Sequence, residues 1–382
     1  MKGKSTLWVP GADHAGIATQ VVVEKKLMRE RNITRHDIGR EKFIEEINVW
    51  KDDYLVKIYN QLRKVGSSFD WSRSRFTMDP AMCESVNEAF VRLHDDGTIY
   101  RANRLVNWCT KLKTALSNLE VENMEIEGRT MLSVPDHDPT KTYEFGVLIS
   151  FAYIVEGTNE RIVVATTRLE TMLGDTAIAV HPSDKRYTHL HGKFAIHPFV
   201  DRRIPIVADE YPDPEFGTGA VKITPSHDFN DFIVGKRQNL EFINVLTDEG
   251  KMNEHCGQFT GLQRFDARVA VLAALKEKGL YVETVDNKMV LPFCGRSRNV
   301  IEPMMKPQWW VSCESMAAEA VKVVKSGELK ITPAASEKEW FRWLENSQDW
   351  CISRQLWWGH RVPAYYIAIN GDENDVWVSN AA

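Results

Sequence analysis

Cysteine is sparse and unpaired along this chain: the six residues Cys83, Cys109, Cys256, Cys294, Cys313 and Cys351 are scattered over 382 positions, no two of them at CxxC spacing. That excludes a disulfide framework and a zinc ribbon, and it predicts reduced thiols. Long apolar runs are missing as well. The longest, Phe145 to Val155, is far short of the roughly 18 residues a membrane span needs, and the stretch from Met1 to Trp8 lacks the apolar core of a signal peptide. A soluble intracellular protein without a membrane partner is expected. Basic excess is absent too. With a net charge of −5, 26% charged and 43% hydrophobic residues, the composition is that of a globular protein, and any nucleic-acid contact must come from a local patch. No repeat or low-complexity segment interrupts the chain, whose length suggests two or three compact units.

What is present changes character along the sequence. From Arg40 to Val65 the residues Phe43, Ile47, Trp50, Tyr54, Ile58 and Leu62 recur every three or four positions and Gly66 follows, which predicts a long helix with these side chains inward. Asp79 and Pro80 open a second helix that turns Met82, Val86, Phe90 and Leu93 inward and stops at Gly97. From Tyr143 to Pro225 short β-rich runs take over, namely Phe145 to Val155, Arg161 to Thr166, Ile204 to Val207 and Ala220 to Thr224. Helical pattern returns over Asp266 to Lys278, and eight of the twelve tryptophans lie between Trp309 and Trp377. The β-rich block therefore reads as an insertion between two parts of another domain.

Chemistry concentrates in Gly217-Thr-Gly-Ala-Val-Lys-Ile-Thr-Pro-Ser-His-Asp-Phe-Asn-Asp231. Gly217 and Gly219 allow positive φ or a close approach, and strand alternation puts Lys222 and Thr224 on one face. Asp228 and Asp231, three apart at a helix start, share one face of its first turn, so the segment reads as a pocket for a polar, amine-bearing ligand. Taken alone, Asp228 reads first as a helix cap; the second carboxylate and the upstream glycines favour the pocket.

Five blocks, in order, resemble the valyl-tRNA synthetases, which are class I aminoacyl-tRNA synthetases. They are Gly11-Ala-Asp-His-Ala-Gly-Ile-Ala-Thr-Gln20, Phe69-Asp-Trp-Ser-Arg73, Ala165-Thr-Thr-Arg-Leu-Glu-Thr-Met-Leu-Gly-Asp175, the pocket segment, and Asp349-Trp-Cys-Ile-Ser-Arg-Gln-Leu-Trp-Trp-Gly-His360. Leu169 stands where bacterial members usually carry proline. The resemblance implies an α/β fold: a partial Rossmann-type class I catalytic domain interrupted by an inserted β-barrel editing domain. Residues 1–140 would form a catalytic segment and the base of the insertion, 141–290 the editing domain, and 291–382 the return to the catalytic domain. The family's HIGH and KMSKS signatures are not found in the sequence, so the expectation is a fragment that does not aminoacylate by itself.

By the same resemblance, the whole enzyme would activate valine with ATP and Mg and charge tRNA(Val), and the insertion would hydrolyse mischarged threonyl-tRNA(Val) without a cofactor. Asp231 would hold the α-ammonium, and Asp228 would accept from the threonine hydroxyl. Lys222, Thr224, Thr166, Thr167 and Arg168 would complete the editing site, with the last three contacting the ester or terminal adenosine. Without the resemblance, Thr166 and Thr167 read as strand filling and Arg168 as a surface ion pair. His227 carries no assigned role. For the valine pocket, Asp13 would pair with the α-ammonium and Trp358 would form a wall; tryptophan-rich core packing is the plainer account of Trp358. Arg73, Arg75, Arg101 and Arg104 would meet the acceptor arm. Cys109 and Cys294 sit where some relatives bind zinc, but Leu112 and Ser297 replace the second cysteines, so zinc is not expected. The compartment implied is the cytoplasm, with mitochondrial use and other translation factors as further possibilities. An isoleucyl-type enzyme and an inert RNA-binding module are the alternatives.

Overall fold

The computed structural model describes residues 3–369 and 372–379. Two compact units result, Met1–Arg101 with Trp309–Ala382, and Ala102–Gln308.

In the first unit, Gly11–Ala12 pairs in parallel with Arg75–Phe76, and the helices Gly16–Arg31 and Arg40–Val65 pack through Val23, Leu27, Phe43 and Ile47 around Trp358. The expected helix over Arg40 to Val65 forms with those bounds, ending at Gly66 with φ 79°. Its inward face is shorter than the periodicity suggests, because only Phe43 and Ile47 are buried while Tyr54 and Ile58 stay exposed. The helix Pro80–Asp95 likewise buries Phe90, edge-on to Trp309 at 5.1 Å between ring centroids, and leaves Val86 and Leu93 exposed. Its Asp79 carboxylate accepts from the Phe76 N–H at 2.9 Å instead of capping the helix.

The second unit is built on seven strands: β1 (Val147–Val155), β2 (Arg161–Thr166), β3 (Ala177–Val180), β4 (Phe194–Ile196), β5 (Arg203–Ala208), β6 (Ala220–Ile223) and β7 (Tyr281–Asp286). Neighbours run β6-β3-β5-β4-β1-β7, β2 pairs with β1, and β3 and β5 are parallel. β1 is long, β-branched and aromatic, and is buried almost throughout, as a strand with covered faces must be. β2 alternates, burying Ile162, Val164 and Thr166. The sheet curls until its two ends, β2 and β6, lie side by side, giving a nearly closed barrel. Two helices cover it, α1 (Phe229–Arg237) and α2 (Arg264–Glu277).

The apolar run expected from Phe145 to Val155 is broken at Gly146, φ 72°, where a Cβ would collide with the Gly128 carbonyl. Only glycine satisfies both conditions. The seven strands fall within the expected 141–290 block, but the compact unit is wider than that block. Val121–Ile126 pairs with Met289–Cys294, and Ile126, Val134, Tyr143, Phe145, Phe265, Leu291 and Val300 share one core. Residues 102–140 and 291–308 therefore fold with the inserted block.

Candidate active site

Where β2 and β6 meet without a shared ladder among the described residues, the barrel opens into a cavity of about 240 Å³. Its lining includes Thr166, Thr167, Arg168, Lys222, Thr224, Asp228 and Asp231, together with Tyr211 and His227. All seven editing residues expected from the sequence thus come together. The chain achieves this by ending β2 at Thr166, ending β6 one residue before Thr224, and starting α1 just after its cap Asp228.

Asp228 is both a cap and a wall. Its Oδ1 accepts from the N–H groups of Asn230 at 2.8 Å and Asp231 at 3.1 Å, while the side chain lines the cavity. Asp231 lies deeper, and its Oδ2 accepts from the Thr224 N–H at 2.8 Å. Burial raises its pKa to about 7, with Lys222 opposing and Asp228 adding to the rise. A carboxylate held there so reluctantly is poised to gain from a cation placed beside it.

Lys222 and Thr224 are buried and tied to Asp175, which is fully buried. Lys222 Nζ lies 3.1 Å from Asp175 Oδ1 and also donates to Thr224 Oγ1; Thr224 Oγ1 donates to Asp175 Oδ1, and Tyr153 donates to Oδ2 at 2.7 Å. Sequence reasoning assigned nothing to Asp175. Its signal was its place at the end of the Ala165–Asp175 block that carries the resemblance, just ahead of the apolar strand Ala177–Val180.

Arg168 is part of a buried ion network and not the surface pair that was its plainer reading. Its Nη1 donates to the His227 carbonyl at 2.7 Å, and its Nη2 pairs with Glu302. Burial pulls its pKa down, but the charges of Glu302, Glu170 and Asp228 outweigh that and raise it. Thr166 Oγ1 accepts from the Arg168 N–H at 3.0 Å, and Thr167 is half-buried at the rim. His227 is locked by both nitrogens: Nδ1 lies 3.2 Å from the Pro303 carbonyl, and Nε2 accepts from the Val245 N–H at 3.0 Å. That fixes the proton on Nδ1. Burial, with Arg168 nearby, lowers its pKa to about 3, so it is a neutral structural residue without a free lone pair for base catalysis.

In the first unit, Asp13 and Trp358 are joined through His14. Asp13 Oδ1 lies 3.2 Å from His14 Nδ1, and Trp358 Nε1 donates to the His14 carbonyl at 2.8 Å. Asp13 is exposed, and Trp358 is buried against Phe76 in the helix core.

Cys109 and Cys294 are free, buried thiols gathered around Ser297. Leu112 and Ser297 contribute their N–H groups to the two sulfurs, each at 3.4 Å, and Ser297 Oγ lies 3.2 Å from Cys109. Two thiols do not supply the four ligands of a structural zinc site, and among the described residues no group of three or more His, Cys, Asp or Glu gathers around a metal position. A strong zinc chelator should leave the thermal midpoint of the chain unchanged; a fall in calorimetry would show that a metal is held here. Among the described residues no helix is long and apolar enough to cross a membrane.

The family described as tRNA synthetases class I (I, L, M and V) matches residues 1–380, and the chain belongs to that family. Among curated proteins it is 60% identical over 377 residues to the mitochondrial valine–tRNA ligase of Saccharomyces cerevisiae, covering 98% of this chain and 34% of that protein. Valine–tRNA ligase of Schizosaccharomyces pombe is 60% identical over 96% of this chain and 37% of its own length. For the Homo sapiens protein of that name the figures are 54%, 99% and 31%. The chain thus spans about a third of the length of the curated relatives it matches. A solved LeuRS from Agrobacterium radiobacter K84 covers 78% of this chain and 46% of its own at 16% identity and a TM-score of 0.29.

Proposed function

We propose that the chain is the editing-bearing part of a valine–tRNA ligase, and that the cavity between β2 and β6 hydrolyses threonyl-tRNA(Val). The observation that carries this reading is the convergence of two carboxylates, a lysine and four threonines on one cavity. Threonine and valine are isosteric. In valine enzymes themselves, a hydrophobic pocket rejects the hydroxyl isostere only about a hundredfold, so a second site must recognise what valine lacks. The free oxygen of Asp228 is suited to accept the threonine hydroxyl, and Asp231 to pair with the α-ammonium. In this reading the other unit contributes Asp13 and Trp358 to valine activation, with ATP, Mg and tRNA(Val) as substrates. The proposed compartment is the cytoplasm, with mitochondrial use in keeping with the mitochondrial name of the yeast relative.

The test is deacylation of threonyl and valyl esters of tRNA(Val), or of its acceptor arm, by the purified chain. Threonyl ester should be hydrolysed well above its spontaneous rate and in preference to valyl ester; binding without hydrolysis would make the chain an RNA-binding module instead. Asp228→Ala should abolish that preference and lose about 1 kcal/mol of stability with the cap. Asp228→Ser separates the two effects, since serine restores the cap but not the carboxylate. If Asp228→Ser keeps the wild-type preference, threonine is recognised elsewhere.

A further inference from the structure

We propose that Asp175 is a positioning residue for the hydrolysis: from behind the cavity wall it holds Lys222 so that one ammonium N–H points at the carbonyl oxygen of the bound ester. This rests on the reading of the cavity given above.

The argument is a count of protons. Asp175 has no exposed surface, and its two oxygens accept from three donors, Tyr153, Lys222 and Thr224. Thr224 has a single hydroxyl proton, and it goes to Asp175, so its oxygen is left to accept from Lys222. Lys222 therefore commits one proton to Asp175 and one to Thr224. The third makes no further hydrogen bond among the described residues, and Lys222 lines the cavity. A flexible lysine is in this way fixed at its ammonium end, which supplies a preorganised donor. The turn that carries Asp175 is itself fixed, because Arg202 donates to the carbonyls of Leu173 at 2.9 Å and Asp175 at 3.1 Å.

The reaction then balances without a further reactant. Water oxygen bonds to the acyl carbon, and the carbonyl π pair moves onto oxygen, where the Lys222 N–H meets the developing charge. The pair returns, the bond from acyl carbon to ribose oxygen breaks, and the ribose oxygen takes up the proton that the water released. Ester and water give free amino acid and a ribose hydroxyl. Lys222 is needed more in the transition state than in the ground state, so loss of its alignment should appear in kcat.

Threonyl-ester deacylation by the full chain is the test, read as kcat and KM separately. Asp175→Asn should lower kcat about a hundredfold, as loss of one oxyanion donor does, and leave KM within about twofold. Lys222→Met should do the same. The two changes should not multiply in the double variant, because both remove one aligned donor. The double variant should also melt above Lys222→Met, which leaves the Asp175 carboxylate buried without its cation. If Asp175→Asn does not fold, Tyr153→Phe removes one of the three donors and should lower kcat several-fold at unchanged KM. A folded Asp175→Asn or Tyr153→Phe with wild-type kcat, or multiplicative losses in the double variant, would overturn the positioning role alone. A wild-type chain inert toward threonyl ester would overturn the reading of the cavity and the positioning role with it.

Discussion

Replacing Asp231 by alanine should slow hydrolysis of threonyl and valyl esters alike, by about 30- to 1000-fold, corresponding to about 2–4 kcal/mol for a desolvated charged hydrogen bond. The α-ammonium is common to every aminoacyl ester, so the loss carries no side-chain selectivity, in contrast to the loss at Asp228. Stability should move the other way. Burial lifts the Asp231 pKa from 3.8 to about 7 in the folded chain. Between those values the native state binds the proton and the unfolded state does not, so this residue subtracts stability progressively as pH rises from about 4 to about 7. Asp231→Asn removes that penalty. At pH 8 it should be more stable than the wild type, with roughly 4 kcal/mol as the upper bound from the three-unit displacement, and the advantage should vanish near pH 4. Thermal melts of wild type and Asp231→Asn at pH 4 and pH 8, alongside deacylation rates, check both halves. An Asp231→Asn chain that is active, or that loses stability at pH 8, would show that the carboxylate is neither the ammonium partner nor an unfavourable buried charge.

The part of the site that could be read from sequence is the part encoded by neighbours in the chain. Lys222 and Thr224 share a strand face, and Asp228 and Asp231 share a helix turn, because periods of two and 3.6 decide both. Helix Arg40–Val65 and strand Arg161–Thr166 were legible for the same reason. Asp175 and Glu302 were not. They approach Lys222 and Arg168 across 47 and 134 residues of chain, Asp175 through the antiparallel pairing of β3 with β6 and Glu302 from a strand outside the seven-stranded sheet, and no local period announces either. Periodicity also overstated burial: beyond Ile47 the apolar stripe of the long helix continues, but Tyr54 and Ile58 remain exposed. The helix Gly16–Arg31 escaped notice because no capping side chain announces it; its N-cap is Ala15, in the left-handed region at φ 50°.

Glu170 should be the costliest single carboxylate to remove. It has no exposed surface and pairs bidentately with Arg268, Oε2 to Nε at 2.7 Å and Oε1 to Nη2 at 3.0 Å, with Arg168 Nε 3.7 Å from Oε1. Burial would raise its pKa, but the two arginines more than offset that and hold it below the ordinary glutamate range. Arg268 is buried as well, stacked near Phe145 and Phe265, with Nη1 donating to the Glu144 carbonyl at 2.9 Å. Glu170→Ala leaves that guanidinium charged and short of two acceptors, which costs about 3–5 kcal/mol. For a unit of this size the shift in melting temperature should be on the order of 10 °C. The deficit belongs to the orphaned charge and not to the pair as such, since exchanging a whole buried ion pair for apolar groups is often neutral. Glu170→Met with Arg268→Met should accordingly recover most of the lost stability in calorimetry of the full chain. Recovery by neither the double variant nor any change at Arg268 would place the cost of losing Glu170 in its effect on Arg168 and the cavity wall.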